Sequence, residues 1–328
     1  MKIMIKDIKP NKFFDSIFFL DSFELRKDRN NKEYIMLNLS DKSGSIKAFI
    51  WNASIEVFEK LIRKTFLKIT GYSKFFNNSI IIDVYDWQYV KWDEVDMKNF
   101  VEIVKEGINY WHSKLLEITE QIEDEYCRLI IVLFLSDEKF MQIFKTIPAG
   151  ISMHHNYVGG LLEHTVSTMS LSALTADKYP DVLNKSILIT GAFLHDIGKT
   201  KELSGKVSIE YTTEGELLGH ITLGILMLEE KIALFDDFPK ELAIHLRHII
   251  LSHHGKLEYG SPVNPKTPEA IVVSTLEGLD AKFNHLYKVL KNSDAQHVKS
   301  FYDRFLDLKI LTDRLYKTSS KFSELEVF

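Results

Sequence analysis

The chain has 328 residues, 45% of them hydrophobic and 27% charged, with a formal net charge of −5. That near-average composition excludes collagen-like, disordered and disulfide-scaffold proteins, and the length allows two or three folded units. The single cysteine, Cys127, has no partner within the chain, which fits a reducing compartment. The longest apolar run, residues 129–135, is seven residues, against about 20 for a bilayer span. With no secretory apolar region at the N-terminus, a cytoplasmic protein without a membrane partner is expected. Two asymmetries are more telling. Of twelve histidines only His112 precedes residue 154, and residues 1–92 carry 16 Lys/Arg against 11 Asp/Glu while the rest carry 25 against 35. A basic N-terminal unit of net +5 thus adjoins an acidic, histidine-rich one of net −10.

Residues 1–92 read as strands. The stretch 13–25 is rich in Phe and Ile, 34–39 alternates with period two, and a turn at Asp41-Lys42-Ser43-Gly44 leads into an alternating 45–51. A short helical pattern at Ile55, Phe58, Leu61 and Ile62 precedes two more strands, 66–72 and 79–90, joined at Asn77-Asn78. The order β-β-β-α-β-β predicts a five-stranded OB-fold barrel, a scaffold that holds single-stranded nucleic acid on strands 2–3. With Ile46, Ala48 and Ile50 inward, Lys47, Phe49 and Trp51 face out. Loop 1–2 offers Arg26, Lys27, Arg29 and Lys32, and loop 4–5 offers Lys74, Phe75 and Phe76. Aromatic faces for bases beside cations for phosphates suit single-stranded RNA or DNA. Packing of Phe49 and Trp51 against the next domain is the alternative.

Residues 93–149 read as a helical linker. Val101, Val104, Ile108, Trp111, Leu115, Ile118 and Ile122 form one apolar stripe, and a second helix covers 125–135. The expected role is a structural spacer or an element of a homo-oligomer. Pro148 and Gly150 mark its end.

Residues 150–328 read as all-helical, with helices over 158–178, 182–195, 215–234, 239–252 and 268–291 and no repeat. The central string is Leu194-His195-Asp196-Ile197-Gly198-Lys199. His164 lies in an otherwise apolar helix, His220 follows Leu217-Leu218-Gly219, His253-His254 sit at a helix end, and Asp280 lies in the last long helix. An unpaired polar group in a core costs about 1–3 kcal/mol, and one metal cluster satisfies all of them together. Mixed imidazole and carboxylate donors suit Mn²⁺, Fe²⁺ or Zn²⁺ rather than a thiolate-bound structural zinc. Such ions would clamp an anionic substrate and offset the domain's negative charge. Gly198-Lys199-Thr200 mimics the end of a P-loop, but six residues separate Gly191 from Gly198 where that motif needs four. His245 and His248 read as helix-surface or supporting residues, His285 and His297 as surface.

The order His164, His195-Asp196, Asp280 resembles the HD-domain metal-dependent phosphohydrolases, and His220 with His253-His254 resembles their two-metal subset. The strings His154-His155-Asn156-Tyr157-Val158-Gly159-Gly160-Leu161-Leu162-Glu163-His164-Thr165 and Ser252-His253-His254-Gly255-Lys256-Leu257-Glu258-Tyr259-Gly260-Ser261-Pro262 are similar to the YhaM-type bacterial 3′→5′ exoribonucleases. So is the strand pair around Asp41–Trp51. The resemblance implies an OB-fold joined to an HD domain and 3′-end hydrolysis of RNA, with single-stranded DNA as well, to nucleoside 5′-monophosphates. It implies two divalent ions, Mn²⁺ favoured over Fe²⁺, Co²⁺ or Zn²⁺. His164, His195, Asp196 and Asp280 would hold the first, and Asp196, His220 and His253 the second. His254 would hold metal or a phosphate, Lys199 would stabilise phosphoryl charge, and His154 and His155 would position the terminal nucleotide. Two rivals remain open at this level: a phosphohydrolase of free or cyclic nucleotides, and a non-catalytic nucleic-acid-binding adaptor.

Overall fold

The computed structural model describes residues 3–151, 155–205, 207–291 and 300–311. The N-terminal strands β1 (Lys12–Lys27), β2 (Glu33–Asp41), β3 (Gly44–Trp51), β4 (Thr65–Phe76) and β5 (Ser79–Val90) close into a barrel of order β1-β2-β3-β5-β4. The helix α1 (Ile55–Lys60) spans the β3–β4 connection. All pairings are antiparallel except β3 with β5. Alternation explains the closure: Phe18, Leu20, Leu37, Leu39, Ala48, Leu67, Ile69 and Ile82 point inward and are fully buried. The β4–β5 hairpin turns on Asn77 and Asn78, with φ of 45° and 64°, the left-handed pair of a tight two-residue turn. This is the expected OB architecture.

The segment expected to be a linker is part of the helical unit. Helices α2 (Ile108–Thr119), α3 (Glu125–Leu135) and α4 (Glu138–Phe144) contribute Leu115, Ile130, Phe134 and Phe144 to the same core as Leu161, Phe193 and Ile249. The apolar stripe does not begin at Val101. Residues 102–104 run extended, with Val158 N–H donating to Glu102 O and Val104 N–H to Val158 O. Long-range backbone bonds thus override helical spacing there, and Val104 is buried from a loop.

Beyond these lie α5 (Gly160–Lys178), α6 (Lys185–Leu194), the single turn α7 (Lys199–Glu202), α8 (Thr213–Ile232), α9 (Lys240–Ser252) and α10 (Pro268–Lys291). The region is not helical throughout. Two small hairpins interrupt it, β6 (Leu203–Ser204) with β7 (Glu210–Tyr211) and β8 (Ser300–Asp303) with β9 (Leu308–Leu311). Barrel and helices meet where Phe19 and Phe66 pack on Val95, Phe100 and Val207. Lys64 Nζ adds contacts to Ser208 Oγ at 2.6 Å and Glu210 Oε1 at 2.9 Å. Among the described residues no helix is long and apolar enough to cross a membrane.

Candidate metal centre

Five helices, α5, α6, α8, α9 and α10, converge with the turn α7 and the loop of His155 on a buried polar cluster. α6 is apolar on nearly every side and ends at Leu194, so the next two residues, His195 and Asp196, emerge inside the core and are fully buried. Opposite them, α8 is kinked at Gly219, whose φ of 69° is outside the helical range, and His220 follows the kink. The two backbones touch there: a Cβ on Gly198 would lie 1.9 Å from His220 O. His164 comes from the middle of α5, and His253 caps the C-terminus of α9.

Asp196 is the centre of the arrangement. Its Oδ2 lies 3.6 Å from His164 Nε2 and 3.4 Å from His195 Nε2. Its Oδ1 lies 3.7 Å from His220 Nε2 and 3.5 Å from His253 Nε2. The two carboxylate oxygens therefore face two separate imidazole sets. His254 Nε2 completes the second set, 3.1 Å from His220 Nε2, and the three histidines 220, 253 and 254 form a group of metal-holding geometry, as do His164, His195 and Asp196.

The imidazoles are orientated for ligation. Nδ1 of His195 donates to Ala192 O and Nδ1 of His253 to Ile250 O, each at 2.7 Å. Nδ1 of His164 donates to Asp280 Oδ2 at 2.7 Å, and Nδ1 of His220 to Glu202 Oε1 at 3.1 Å. Carbonyls and carboxylates only accept, so in the neutral rings Nε2 keeps its lone pair and aims it at Asp196. Burial pushes the His164 and His253 imidazoles down to about 4, which keeps them neutral.

Three features fit divalent cations. His164 Nε2 and His195 Nε2 lie 3.1 Å apart, as do His220 Nε2 and His254 Nε2. Two nitrogens each about 2.0–2.1 Å from one metal are separated by about 2.9 Å at a right angle and about 3.4 Å at a tetrahedral one. Finally, among the described residues Asp196 Oδ1 and His253 Nε2 are buried without a hydrogen-bond partner, an arrangement that costs about 1–3 kcal/mol per group unless a ligand satisfies them.

Asp280 and His155 stand differently from the sequence expectation. Asp280 Oδ2 accepts from His164 Nδ1 and from His155 Nε2, both at 2.7 Å. Asp280 forms with those two histidines a third group of metal-holding geometry, and it meets His164 at Nδ1, the ring nitrogen away from the shared carboxylate. Burial would raise the Asp280 carboxyl, but these two hydrogen bonds hold it well below the usual range. His155 is 2% exposed, with Nδ1 2.8 Å from the Tyr157 hydroxyl and its backbone N–H on Asn284 Oδ1. With both ring nitrogens engaged in the interior, it supports Asp280 rather than contacting a nucleotide. His154 lies outside the described residues.

Lys199 is 6% exposed, its Nζ 2.6 Å from Asp196 Oδ2. Burial opposes ionisation of Asp196, yet the Lys199 ammonium beside it holds its carboxyl well below the ordinary value. Glu202 and Glu277 went unnoticed in the sequence. Glu202 Oε1 accepts from both His220 N and His220 Nδ1. Glu277, 8% exposed and one turn before Asp280 on α10, is pushed up to about 7 by burial and then by the Asp196 charge. The i, i+3 relation to Asp280 was its only signal. His245, read as a helix-surface or supporting residue, pairs with Glu269, and His285, read as surface, pairs with Asp303. His297 lies outside the described residues.

On the barrel, Tyr34, Phe49 and Trp51 form one aromatic surface. Phe49 and Trp51 are stacked at 5.3 Å and 12°, and Tyr34 lies 5.1 Å from Trp51. Trp51 is 44% exposed, so it does not pack into the helical unit. Its Nε1 donates to Asp83, which also holds Lys74. Lys47, Arg29 and Lys32 are exposed, without an ion pair among the described residues, and Phe75 is exposed. Arg26 and Lys27 are drawn to Glu24 and Glu33.

A histidine–aspartate pair at a helix end, flanked by metal-competent histidines in an all-helical core, is the arrangement of an HD domain, and that family matches residues 161–282. Over its length the chain is 32% identical across 282 residues to the 3′-5′ exoribonuclease YhaM of Oceanobacillus iheyensis, covering 85% of this chain and 87% of that one. It is 33% identical across 263 residues to the 3′-5′ exoribonuclease YhaM of Bacillus subtilis, covering 80% and 82%. The chain belongs to the YhaM family. Among solved structures, a domain of replication protein A from Methanococcus maripaludis is 20% identical with a TM-score of 0.24, covering 28% of this chain and 97% of that one.

Proposed function

We propose that this protein is a metal-dependent 3′→5′ exonuclease that trims single-stranded RNA, and single-stranded DNA, to nucleoside 5′-monophosphates. The observation that carries the reading is Asp196, whose two oxygens face separate imidazole sets, one oxygen without a hydrogen-bond partner among the described residues. Two divalent ions, manganese foremost, would be held there: one by His164, His195 and Asp196, the other by Asp196, His220, His253 and His254. Such ions supply Lewis acidity, polarising a phosphoryl group and acidifying nearby water.

The chain's own groups do the rest. Asp280 and Glu202 fix the rings of His164 and His220 by their Nδ1 hydrogens. Lys199, charged against Asp196, presents positive charge where phosphoryl oxygens gain negative charge. Residues 1–92 serve as the strand-holding unit, with bases stacking on Tyr34, Phe49 and Trp51 and phosphates meeting Arg29, Lys32 and Lys47. Residues 150–328 serve as the catalytic unit, braced by 93–149. Incubation of a 5′-labelled single-stranded RNA with Mn²⁺ tests this. A descending ladder is expected. Immediate release of labelled mononucleotide would mean attack from the 5′ end, and intact RNA would favour an adaptor.

A further inference from the structure

A cavity of about 220 Å³ lies between the barrel and the helical unit, bordered by Lys42, Val101, Glu102, Asn156, Tyr157 and Ile209 among others. Its two ends belong to different machinery. Lys42 stands in the turn of the β2–β3 hairpin, whose open end carries Tyr34 and Trp51 as a registered pair. Tyr157 stands two residues from His155, with its hydroxyl 2.8 Å from His155 Nδ1, and His155 Nε2 holds Asp280. The cavity thus borders the turn end of that hairpin on one side and, through Tyr157 and His155, the groups that hold Asp280 on the other.

We propose that this cavity, at the junction of barrel and helical unit, receives one base of the bound single strand. The inference rests on the exonuclease reading above and names a point where the strand crosses from barrel to helical unit. Size favours a single ring system: pockets for drug-sized ligands measure about 300–1,000 Å³, and this one is smaller. Chemistry separates base from backbone. Val101 and Ile209 offer apolar walls to the faces of a planar ring, whereas the Glu102 carboxylate repels a phosphate and accepts from ring N–H and amino groups. The Tyr157 hydroxyl is already bonded to Glu163 and Asn284 and one face of its ring carries the Lys288 ammonium at 4.8 Å, so Tyr157 bounds the cavity with what remains of its ring. Lys42, exposed at the hairpin turn, suits the phosphate adjoining that base.

The test compares a 12-nucleotide RNA with the small nitrophenyl ester of a nucleoside 5′-monophosphate, which reaches the metal centre without spanning the cavity. Ile209→Trp fills the space. One misfitted group in such a pocket is worth about 10–200-fold, so kcat/KM on RNA relative to the ester should fall at least about tenfold, mainly through KM. Glu102→Gln, a conservative change at an exposed residue, should alter the order of preference among RNA homopolymers, and it carries the test if the tryptophan variant fails to fold in thermal unfolding. An unchanged RNA-to-ester ratio in Ile209→Trp, or an equal loss on both substrates, overturns the proposal, as does an unchanged preference in Glu102→Gln. If the wild-type protein hydrolyses the ester but never shortens RNA from its 3′ end, the exonuclease reading itself fails and the cavity's role falls with it.

Discussion

Glu202 holds His220 from behind the ring nitrogen that faces Asp196. One oxygen of this carboxylate accepts from His220 N at 3.0 Å and from His220 Nδ1 at 3.1 Å. Glu202→Ala removes both bonds. It uncaps the backbone just after the Gly219 kink and lets the ring turn about its Cβ–Cγ bond, scattering the Nε2 direction. Loss of such a supporting partner costs about 10–100-fold in metal affinity, or about 1.4–2.8 kcal/mol. Glu202→Gln keeps an accepting oxygen without the charge. Because charge-assisted bonds are roughly twice as strong as neutral ones, it should lose only about 3–10-fold. Calorimetric titration of Mn²⁺ into metal-stripped protein reads both numbers, and the loss should fall on one of two binding steps, since His164 and His195 do not depend on Glu202. Unaltered affinity at both steps in Glu202→Ala would refute the assignment of His220 as a ligand held in place by this carboxylate.

Other outcomes follow from single contacts. Trp51→Ala should weaken binding of a single-stranded oligonucleotide by about 5- to 140-fold, the loss of about 1–3 kcal/mol of base stacking, while hydrolysis of a small ester persists; fluorescence anisotropy measures the first and a colorimetric rate the second. Gly198→Ala puts a methyl group against the His220 carbonyl, and overpacking of this kind costs about 1–3 kcal/mol. At roughly 2–4 °C per kcal/mol, the melting temperature should fall by several degrees, and a wild-type melting curve would contradict the close approach. Glu277, with its carboxyl pushed up to about 7 in the folded chain, binds its proton more tightly folded than unfolded. Its contribution is therefore full below about pH 4.5 and is lost as pH rises through about 7, to the extent of about 3 kcal/mol. In metal-free protein, urea unfolding of Glu277→Gln should gain on the wild type between pH 5 and pH 8; parallel pH profiles would rule this out.

The barrel was legible because β3 alternates over its inward residues and the β4–β5 turn is spelled by two asparagines that tolerate positive φ. The shared carboxylate was legible because His195-Asp196 follow an unbroken apolar helix, where polar groups need a reason to exist. What stayed hidden is of two kinds. Supporting carboxylates such as Glu202 carry no spacing signal: the residue sits 18 positions from the histidine it holds. The apolar stripe from Val101 misled because periodicity cannot register the backbone pairing with Val158 that keeps residues 102–104 extended. His155 and Asp280 were found as residues but not in their parts, since a string of ligand types does not reveal which nitrogen of His164 each neighbour meets.

Asp196→Ala tests the account most directly, because both imidazole sets meet on that one side chain. Rates of 3′-end shortening of labelled RNA in Mn²⁺ should fall to background, while anisotropy shows the strand still bound through the barrel. An Asp196→Ala protein that shortens RNA at the wild-type rate would contradict the account.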